Sequence, residues 1–261
     1  MRMNSGVPLL GRRAINFVSH IGSTFLLLFK SIYQLKSAPQ SLGLIIDQCF
    51  MVGNKSVPLI LIISIFVGAV SAWQAAYQFK FIGAPLRYLG SAVGKAVVIE
   101  LAPVLSALVV AGRVGAGIAA ELGTMRVTEQ IDALESMGIS PVRYLVMPRI
   151  LATTIMLPIL IIFANLIALL GALVVSIIFV DMSYETFLNG VRSSFSFADM
   201  MGGMLKAAVF GMIIGLVGCH EGFNTAGGAR GVGISTTLAV VIASVMILIS
   251  DYVIAMVLFQ M

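Results

Sequence analysis

Charged residues are scarce in this 261-residue sequence. Asp, Glu, Lys and Arg together make up 10% of it, whereas hydrophobic residues make up 59% and the mean hydropathy is +1.07. Soluble domains are about half apolar and about one quarter charged. The shortage of charge excludes an ordinary soluble domain and predicts a chain that crosses a membrane several times.

Cysteine and histidine are almost absent, with two of each. Both cysteines lie in or beside apolar runs, so nothing supports a disulfide framework. His220-Glu221 lacks the second histidine of a zincin helix, because position 224 is Asn. His20 and His220 both lie near the ends of apolar runs, and no nucleophile is paired with a base at one depth. We therefore expect no catalytic residue and no metal site.

Two glycine-rich stretches resemble nucleotide-binding motifs, but neither has all the residues or the structural context that such a motif requires. The stretch 90–96, GSAVGKA, has three residues between its glycines instead of four, and Ala96 stands where a P-loop has Ser or Thr. The stretch 115–120 has no strand before it, as a dinucleotide fingerprint requires. The net charge of +5 is dispersed among apolar runs. We expect no cofactor on this chain and no nucleic-acid partner.

Five apolar runs are long enough to cross a hydrocarbon core of about 30 Å at about 1.5 Å per residue. They cover about 57–79, 91–112, 145–179, 202–219 and 234–259. A short helix is predicted over 184–191, within an otherwise polar loop. The sequence thus predicts an all-α, polytopic membrane helical bundle with five transmembrane helices.

The amino-terminal region mixes charge with modest apolar runs. Over 9–35, Arg12, Arg13 and Lys30 interleave with apolar side chains, which favours a helix lying in the membrane interface. A break follows around Pro39. We therefore divide the chain into an interfacial amphipathic region, 1–56, and a transmembrane domain, 57–261.

Small residues recur along two of the predicted spans. Ser64, Gly68, Ala72 and Ala76 are spaced by four, and Gly211 and Gly215 form a second pair. Such stripes let another helix approach closely. The first stripe predicts either packing within the chain or the seam of a dimer.

The positions of Lys and Arg indicate which span ends face the cytoplasm. With the amino terminus inside, the inner segments hold Arg2, Arg12, Arg13, Lys30, Lys36, Lys55, Arg113, Arg126, Arg143, Arg149 and Arg230, and the outer ones hold Lys80, Arg87, Lys95 and Arg192. Because positive residues concentrate in cytoplasmic loops, this bias of eleven to four predicts a cytoplasmic amino terminus.

An amphipathic stretch follows the second span, over about 122–138. On a helix, one face carries Val127, Ile131, Leu134 and Gly138, and another carries Arg126, Glu129, Asp132 and Glu135. A short two-faced helix between spans suits docking onto a cytoplasmic partner. With the predicted topology it lies in the cytoplasm.

Three ionisable residues lie within the spans: Glu100, Lys206 and Asp251. Each charge at membrane depth costs at least about 2.5–3.5 kcal/mol, so such groups normally find partners inside the bundle. With the predicted topology all three lie in the outer half of the bilayer. We hypothesise that Lys206 pairs with one or both carboxylates and lines or gates a pathway for a substrate with a polar head. The alternative is an ion pair that only locks helices together.

Two further features have plain structural explanations. Arg113 is interpreted as an anchor at the membrane interface. The glycine-rich segment 222–233 is predicted to be a linker; it suits a tight turn between helices, and a cradle of backbone amides for phosphate is the alternative.

Motifs along most of the chain match a known family. The matching pieces are Glu100-Leu-Ala-Pro103, Ala111-Gly112-Arg113-Val-Gly115, Ala120-Glu121-Leu-Gly123-Thr-Met125-Arg126, Thr128-Glu129-Gln130 with Asp132-Ala133, Pro141, Pro148-Arg149, Lys206, the segment 222–233, Thr236-Thr237 and Asp251. From about residue 50 onward the chain resembles the MlaE/YrbE family of permease subunits in bacterial phospholipid transport.

The resemblance implies a homodimer with a phospholipid cavity between the two permeases, a cytoplasmic ABC ATPase and an MCE-domain lipid-binding protein. It also implies an inner-membrane location and a role in outer-membrane lipid homeostasis. ATP and Mg²⁺ would bind to the ATPase. A small accessory subunit associated with the ATPase is a further partner that the family resemblance allows. The implied coupling residues are Glu121, Met125, Arg126, Glu129, Gln130 and Asp132. One departure is Ile99, where many relatives carry Arg.

A different transport class is the alternative. A self-sufficient proton-coupled transporter would use Glu100 and Asp251 as proton carriers. It predicts transport by this chain alone, driven by a pH gradient. A structural scaffold would leave the three charges at membrane depth unexplained.

Overall fold

A computed structural model describes residues 22–34 and 39–258. The described residues are almost entirely helical and contain no strand. Five helices are long and apolar enough to cross a membrane, which confirms the predicted helical bundle. These five are α1 (Pro39–Ile82), α2 (Leu86–Val127), α4 (Val142–Val180), α6 (Phe197–Phe223) and α7 (Gly228–Leu258).

Two shorter helices mark the ends of the bundle. α3 (Gln130–Ser136) lies between α2 and α4, and α5 (Tyr184–Ser194) lies between α4 and α6. Ser183 caps α5 by accepting a hydrogen bond from the Thr186 amide. The end with residues 128–141 and 224–227 is called the α3 end below, and the opposite one the α5 end.

Small side chains bring α1 and α4 into direct backbone contact. A Cβ at Gly68 would overlap the carbonyl oxygen of Ala168, and one at Gly171 would overlap that of Ile65. Ser64, Gly68, Ala72 and Ala76 are all buried. The small-residue stripe of α1 therefore serves packing within the chain, which decides between the two predicted uses.

α6 is the central helix of the bundle. It runs parallel to α2, with Gly203 against Val98 and Gly218 against Gly115. It runs antiparallel to α4, where a Cβ at Gly211 would overlap the Thr153 carbonyl oxygen. The predicted close packing at Gly211 is thereby confirmed. α7 packs along the other side of α6 and also contacts α2.

α2 changes its winding along its length. It contains π-helical turns at Val97–Leu101 and Ala111–Gly115. Pro103 follows the first of these; it has no N–H to donate to the Ile99 carbonyl, and its ring would clash with that carbonyl in a regular helix. The wider turn relieves this conflict. π turns of this kind recur at functional sites.

The helix that contains the first predicted span begins before residue 57. α1 is α-helical from Leu42, so the domain boundary drawn after residue 56 lies inside a continuous helix. Over 41 residues it extends about 60 Å, roughly twice the thickness of a hydrocarbon core. The polar side chains of Asp47 and Lys55 hide this extension from a hydropathy pattern.

Two other predicted segments differ in the structure. The prediction of a linker over 222–233 is wrong for most of that range, because only residues 224–227 separate α6 from α7. Gly227 and Gly228 have φ values of 89° and 67°, which favour glycine. The continuous helix over 122–138 is broken after Val127, and Glu129 adopts a left-handed φ of 60°.

The predicted interfacial helix over 9–35 lies partly outside the described residues. Residues 22–34 are helical. Leu27 and Leu28 pack against the core, whereas Phe25, Leu26 and Phe29 are exposed. The described part is thus a helix with an exposed apolar face.

Candidate functional site

The three charges predicted within the spans meet in one cluster. Lys206 Nζ lies 2.6 Å from Glu100 Oε2 and 2.8 Å from Asp251 Oδ1. The Lys206 side chain is completely buried, and the Asp251 side chain is 13% exposed. Glu100 keeps 43% of its side-chain surface exposed. The expected pairing of Lys206 with both carboxylates is therefore present in the structure.

Three helices are shaped to bring these side chains together. Glu100 lies in the π turn of α2, and Gly203, one turn before Lys206, lets α6 approach the Val98 carbonyl oxygen. On α7, the buried residues are Gly231, Ser235, Ala239, Ala243, Ile247 and Asp251. They recur every four residues, so one face of α7 packs inward and carries Asp251 to the cluster.

All three charges lie towards the α5 end. Lys206 is nine residues after the start of α6, about 14 Å along its axis, and Asp251 is seven residues before Leu258, about 11 Å. A lysine at this depth requires partners, because an unpaired buried charge is costly. Two carboxylates share this ammonium, and Glu100 also faces the surroundings of the bundle.

A second ion pair lies at the α3 end. Arg149 Nη2 donates to Glu121 Oε1 at 2.7 Å, and Arg149 Nη1 donates to the Leu145 carbonyl at 2.8 Å. The Arg149 side chain is 5% exposed, and that of Glu121 is 49% exposed. The sequence contains Arg149 within the motif Pro148-Arg149 but does not reveal its burial. This pair connects α2 to α4.

Some of the residues expected to couple to a partner pack partly against the core, and others are exposed at the surface. Met125, on α2, packs partly against the core. Arg126 forms an ion pair with Asp132 across the break before α3, and Gln130 donates to Thr128 Oγ1. Ile131 is buried and Leu134 packs against the core, while the charged residues of the same region are exposed. Of the predicted apolar face, Ile131 and Leu134 therefore pack inward on the shorter α3, whereas Val127 lies before it and is exposed.

Arg113 and His220 have partners inside the bundle. Arg113 Nη1 donates to Ser56 Oγ of α1 at 2.6 Å, so it contacts a neighbouring helix. His220 Nε2 lies 2.8 Å from Ser23 Oγ, and its Nδ1 lies 3.2 Å from Glu221 Oε1. Over residues 22–34 and 39–258, no group of His, Cys, Asp and Glu has a metal-binding arrangement.

Comparison with known proteins identifies the family. Residues 45–257 match the family described as permease MlaE. A "Probable ABC transporter permease protein" of Rickettsia felis is 39% identical over 251 residues, 96% of each chain. One of Synechocystis is 43% identical over 82% of this chain and 81% of its own length. The chloroplast protein Trigalactosyldiacylglycerol 1 of Arabidopsis thaliana is 37% identical over 82% of this chain and 61% of its own. The chain therefore belongs to the MlaE permease family and is a multi-pass membrane permease.

Proposed function

We propose that two copies of this chain form the membrane pathway of an ATP-driven transporter that moves glycerophospholipid between the bacterial inner membrane and an MCE-domain lipid carrier. The observation that carries this proposal is the buried Lys206, held between two carboxylates within the apolar spans. The name of the Arabidopsis relative includes a galactolipid, which supports lipid as the substrate class. Such transport would contribute to outer-membrane lipid homeostasis.

The cluster of Glu100, Lys206 and Asp251 is proposed to contact or gate the headgroup. A lipid headgroup that leaves water needs charged or polar partners within the bundle. Glu100 is the member that can meet it, since its side chain is 43% exposed. When Glu100 turns towards a headgroup, Asp251 still neutralises Lys206. The charge cluster can therefore change partners without leaving a bare ammonium in the bundle.

The α3 end is proposed to rest on a separate cytoplasmic ATPase, where ATP and Mg²⁺ bind. Its exposed charges offer hydrogen-bonding partners, while Ile131 holds α3 onto the bundle. The proposed contact residues are Glu121, Met125, Arg126, Glu129, Gln130 and Asp132. Movement of this region would change the packing of α2, which also carries Glu100, and so bias the pathway between two states.

The proposal is tested by neutralising the cluster without leaving a stranded charge. The triple variant Lys206→Met, Glu100→Gln and Asp251→Asn keeps side-chain volume and removes all three charges. In the transporter assembled with its ATPase and carrier in vesicles, we expect loss of ATP-driven lipid transfer with the fold retained. The control Lys80→Met removes an exposed cation from α1 and should transfer lipid normally.

Wild-type transfer by the triple variant would overturn the proposed role, because the cluster would then only lock helices together. The same vesicles distinguish the proton-coupled alternative. Lipid movement by this chain alone, driven by a pH gradient and without an ATPase, would replace the ATP-driven assignment. Mass spectrometry of proteins and lipids that copurify in mild detergent would identify the partners.

The proposed orientation has its own test. Cysteine introduced at Glu129 or Asp132, in a background without Cys49 and Cys219, should react with membrane-impermeant thiol reagents only after cells are opened. Labelling in intact spheroplasts would place the α3 end outside. The ATPase assignment would then fail together with the topology.

A further inference from the structure

The buried residues of α2 follow a regular spacing that is interrupted once, beside Glu100. They occur as adjacent pairs, and successive pairs begin four residues apart at every step except the one from Val97 to Ala102, where the step is five. α2 therefore contains one residue more than this spacing requires, and the extra residue lies within 99–101. The pairs are Leu89 and Gly90, Val93 and Gly94, Val97 and Val98, Ala102 and Pro103, Ser106 and Ala107, Val110 and Ala111, Val114 and Gly115, Ile118 and Ala119, and Leu122 and Gly123.

The π turn at Val97–Leu101 accommodates the extra residue. The Ala102 N–H donates to the Val97 carbonyl, five residues back, where an α-helix would use the carbonyl four residues back. Because the wider turn takes up one more residue, the helix on both sides of it presents the same buried face. That face packs on α5 at Gly90 and on α6 at Gly115.

The extra residue changes the direction of the Glu100 side chain. Two residues lie between consecutive buried pairs elsewhere in α2, whereas three lie between Val98 and Ala102, and Glu100 is the middle one. From this position Glu100 Oε2 lies 2.6 Å from Lys206 Nζ. Without Leu101, Glu100 would be the second of two such residues. Its side chain would then leave the helix in a different direction, because α-helical residues are about 100° apart and three residues now share the arc of two.

Pro103 fixes the place of the extra residue. Proline has no N–H to donate to the Ile99 carbonyl, so a regular α-helical turn cannot be completed there. The Pro103 ring and the Val98 carbonyl oxygen both lie against Gly203 of α6, where a Cβ would be 3.5 Å from the ring and 2.8 Å from the oxygen. Since Gly203 precedes Lys206 by three residues, these contacts hold the π turn beside the lysine.

From this geometry we propose that the extra residue of α2 directs Glu100 to Lys206, and that Pro103 is the positioning residue that keeps it between Val98 and Ala102. The consequence for the ion pair depends only on contacts within this chain. The consequence for lipid transfer rests on the proposed function. The simpler alternative is that the π turn only bends α2, and that Glu100 would reach Lys206 from a regular helix as well.

The experiment removes the extra residue and restores the four-residue spacing. Deletion of Leu101 combined with Pro103→Ala should give a folded chain, because the buried pairs on both sides keep their face. Electron cryomicroscopy of the assembled transporter should show a regular α-helix there, with Glu100 separated from Lys206. In vesicles, ATP-driven lipid transfer should fall by about ten-fold or more.

Two controls separate the number of residues from the side chains. Leu101→Ala keeps the extra residue and should transfer lipid within about two-fold of the wild type. Deletion of Leu108 removes a residue where the spacing has none to spare, so the buried pairs before and after it no longer share a face. That variant should aggregate on gel filtration in mild detergent, whereas the Leu101 deletion should remain monodisperse.

A second substitution distinguishes positioning from a general weakening of the fold. Glu100→Gln should lower transfer in the wild type and in Leu101→Ala. It should have no further effect in the deletion variant, where Glu100 no longer contacts Lys206. Pro103→Ala alone lets the extra residue shift along α2 and should lower transfer by about three-fold. Normal transfer by Pro103→Ala would overturn its positioning role.

Wild-type transfer by the Leu101 deletion variant, or an equal effect of Glu100→Gln in both backgrounds, would overturn the proposal. Aggregation of the Leu101 deletion variant to the same extent as the Leu108 deletion would also overturn it, because no residue would then be extra. If the wild type transfers no phospholipid, the proposed function fails. The comparison of the two deletions and the structure of the Leu101 deletion variant still decide whether Glu100 is positioned as proposed.

Discussion

Two of the ion pairs that connect α2 to its neighbours share one design, and they lie towards opposite ends of the bundle. Glu100 pairs with Lys206 of α6, and Glu121 pairs with Arg149 of α4. In both, the cation is almost fully buried and the carboxylate on α2 is nearly half exposed. One helix therefore presents two accessible carboxylates, each held by a buried cation from another helix.

The second partner of each cation makes the two sites different. Lys206 has a second carboxylate, Asp251, at an ion-pair distance of 2.8 Å, whereas Arg149 has, besides Glu121, the Leu145 carbonyl. If Glu100 moves away, Lys206 remains paired. If Glu121 moves away, Arg149 is left with a backbone oxygen only. The Lys206 site can therefore exchange one carboxylate for another ligand, whereas the Arg149 site depends on a permanent contact with Glu121.

The largest effect on stability is expected from Lys206→Ala. It leaves Glu100 and Asp251 facing each other without a cation, and removal of one partner of a buried pair costs about 3–5 kcal/mol. The free energy of unfolding, measured in detergent, should fall by that amount. An exposed ion pair contributes at most about 1 kcal/mol. A loss smaller than that would mean that Lys206 is not the centre of a buried network, and the proposed difference between the two sites would be wrong.

Arg149→Ala should have a smaller effect. It removes a buried guanidinium, but Glu121 is 49% exposed and regains water, so we expect a loss of about 1–3 kcal/mol. Unfolding in the same detergent measures it. Arg143→Ala on the same helix is the matched control: Arg143 is not buried and donates to Gln40 at the surface, so its loss should be below about 0.5 kcal/mol.

Two glycine substitutions on α6 perturb one site at a time. A Cβ at Gly203 would lie 2.8 Å from the Val98 carbonyl oxygen, and one at Gly222 would lie 2.7 Å from the Leu122 Cβ. Each alanine variant should cost about 1–2 kcal/mol through overpacking. Double-mutant cycles with Glu100→Gln should show coupling for Gly203→Ala and additivity for Gly222→Ala. Equal coupling for both would mean that α6 transmits strain along its whole length.

The smallest effects test the comparison most directly. Glu100→Gln should cost about 0.5 kcal/mol because Asp251 still neutralises Lys206, whereas Glu121→Gln should cost about 1 kcal/mol because Arg149 loses its one carboxylate. The two carboxylates are similarly exposed, so burial alone would predict equal losses. Chemical unfolding of the two variants side by side decides the point. A larger loss for Glu100→Gln would contradict the exchangeable site.

Much of this bundle is predictable from residue pattern. The five spans and the meeting of Glu100, Lys206 and Asp251 follow from apolar length and from the cost of charge at membrane depth. Neither of these arguments depends on details of packing. The roles proposed for these three residues and for the residues at the α3 end remain predictions.

Other features depend on how helices pack. The start of α1 at Leu42 is hidden by Asp47 and Lys55, because hydropathy measures what a membrane covers and not where a helix begins. The glycines of 222–233 suggest flexibility in a sequence, yet Gly231 lies so close to the Ala226 carbonyl oxygen that a methyl group would overlap it. Whether such glycines serve freedom or close approach depends on which atoms lie opposite.

The sequence by itself determined that this protein is a bundle of apolar helices with three charges in need of partners, because the free energies of burying apolar surface and isolated charge are properties of single residues. Only the tertiary structure decided that the small-residue stripe of α1 packs on α4, that Arg149 is buried against Glu121, and that Lys95 of α2 lies 3.6 Å from Asp199 of α6. Those contacts join side chains from different helices, and their distances follow from the packing of the whole bundle.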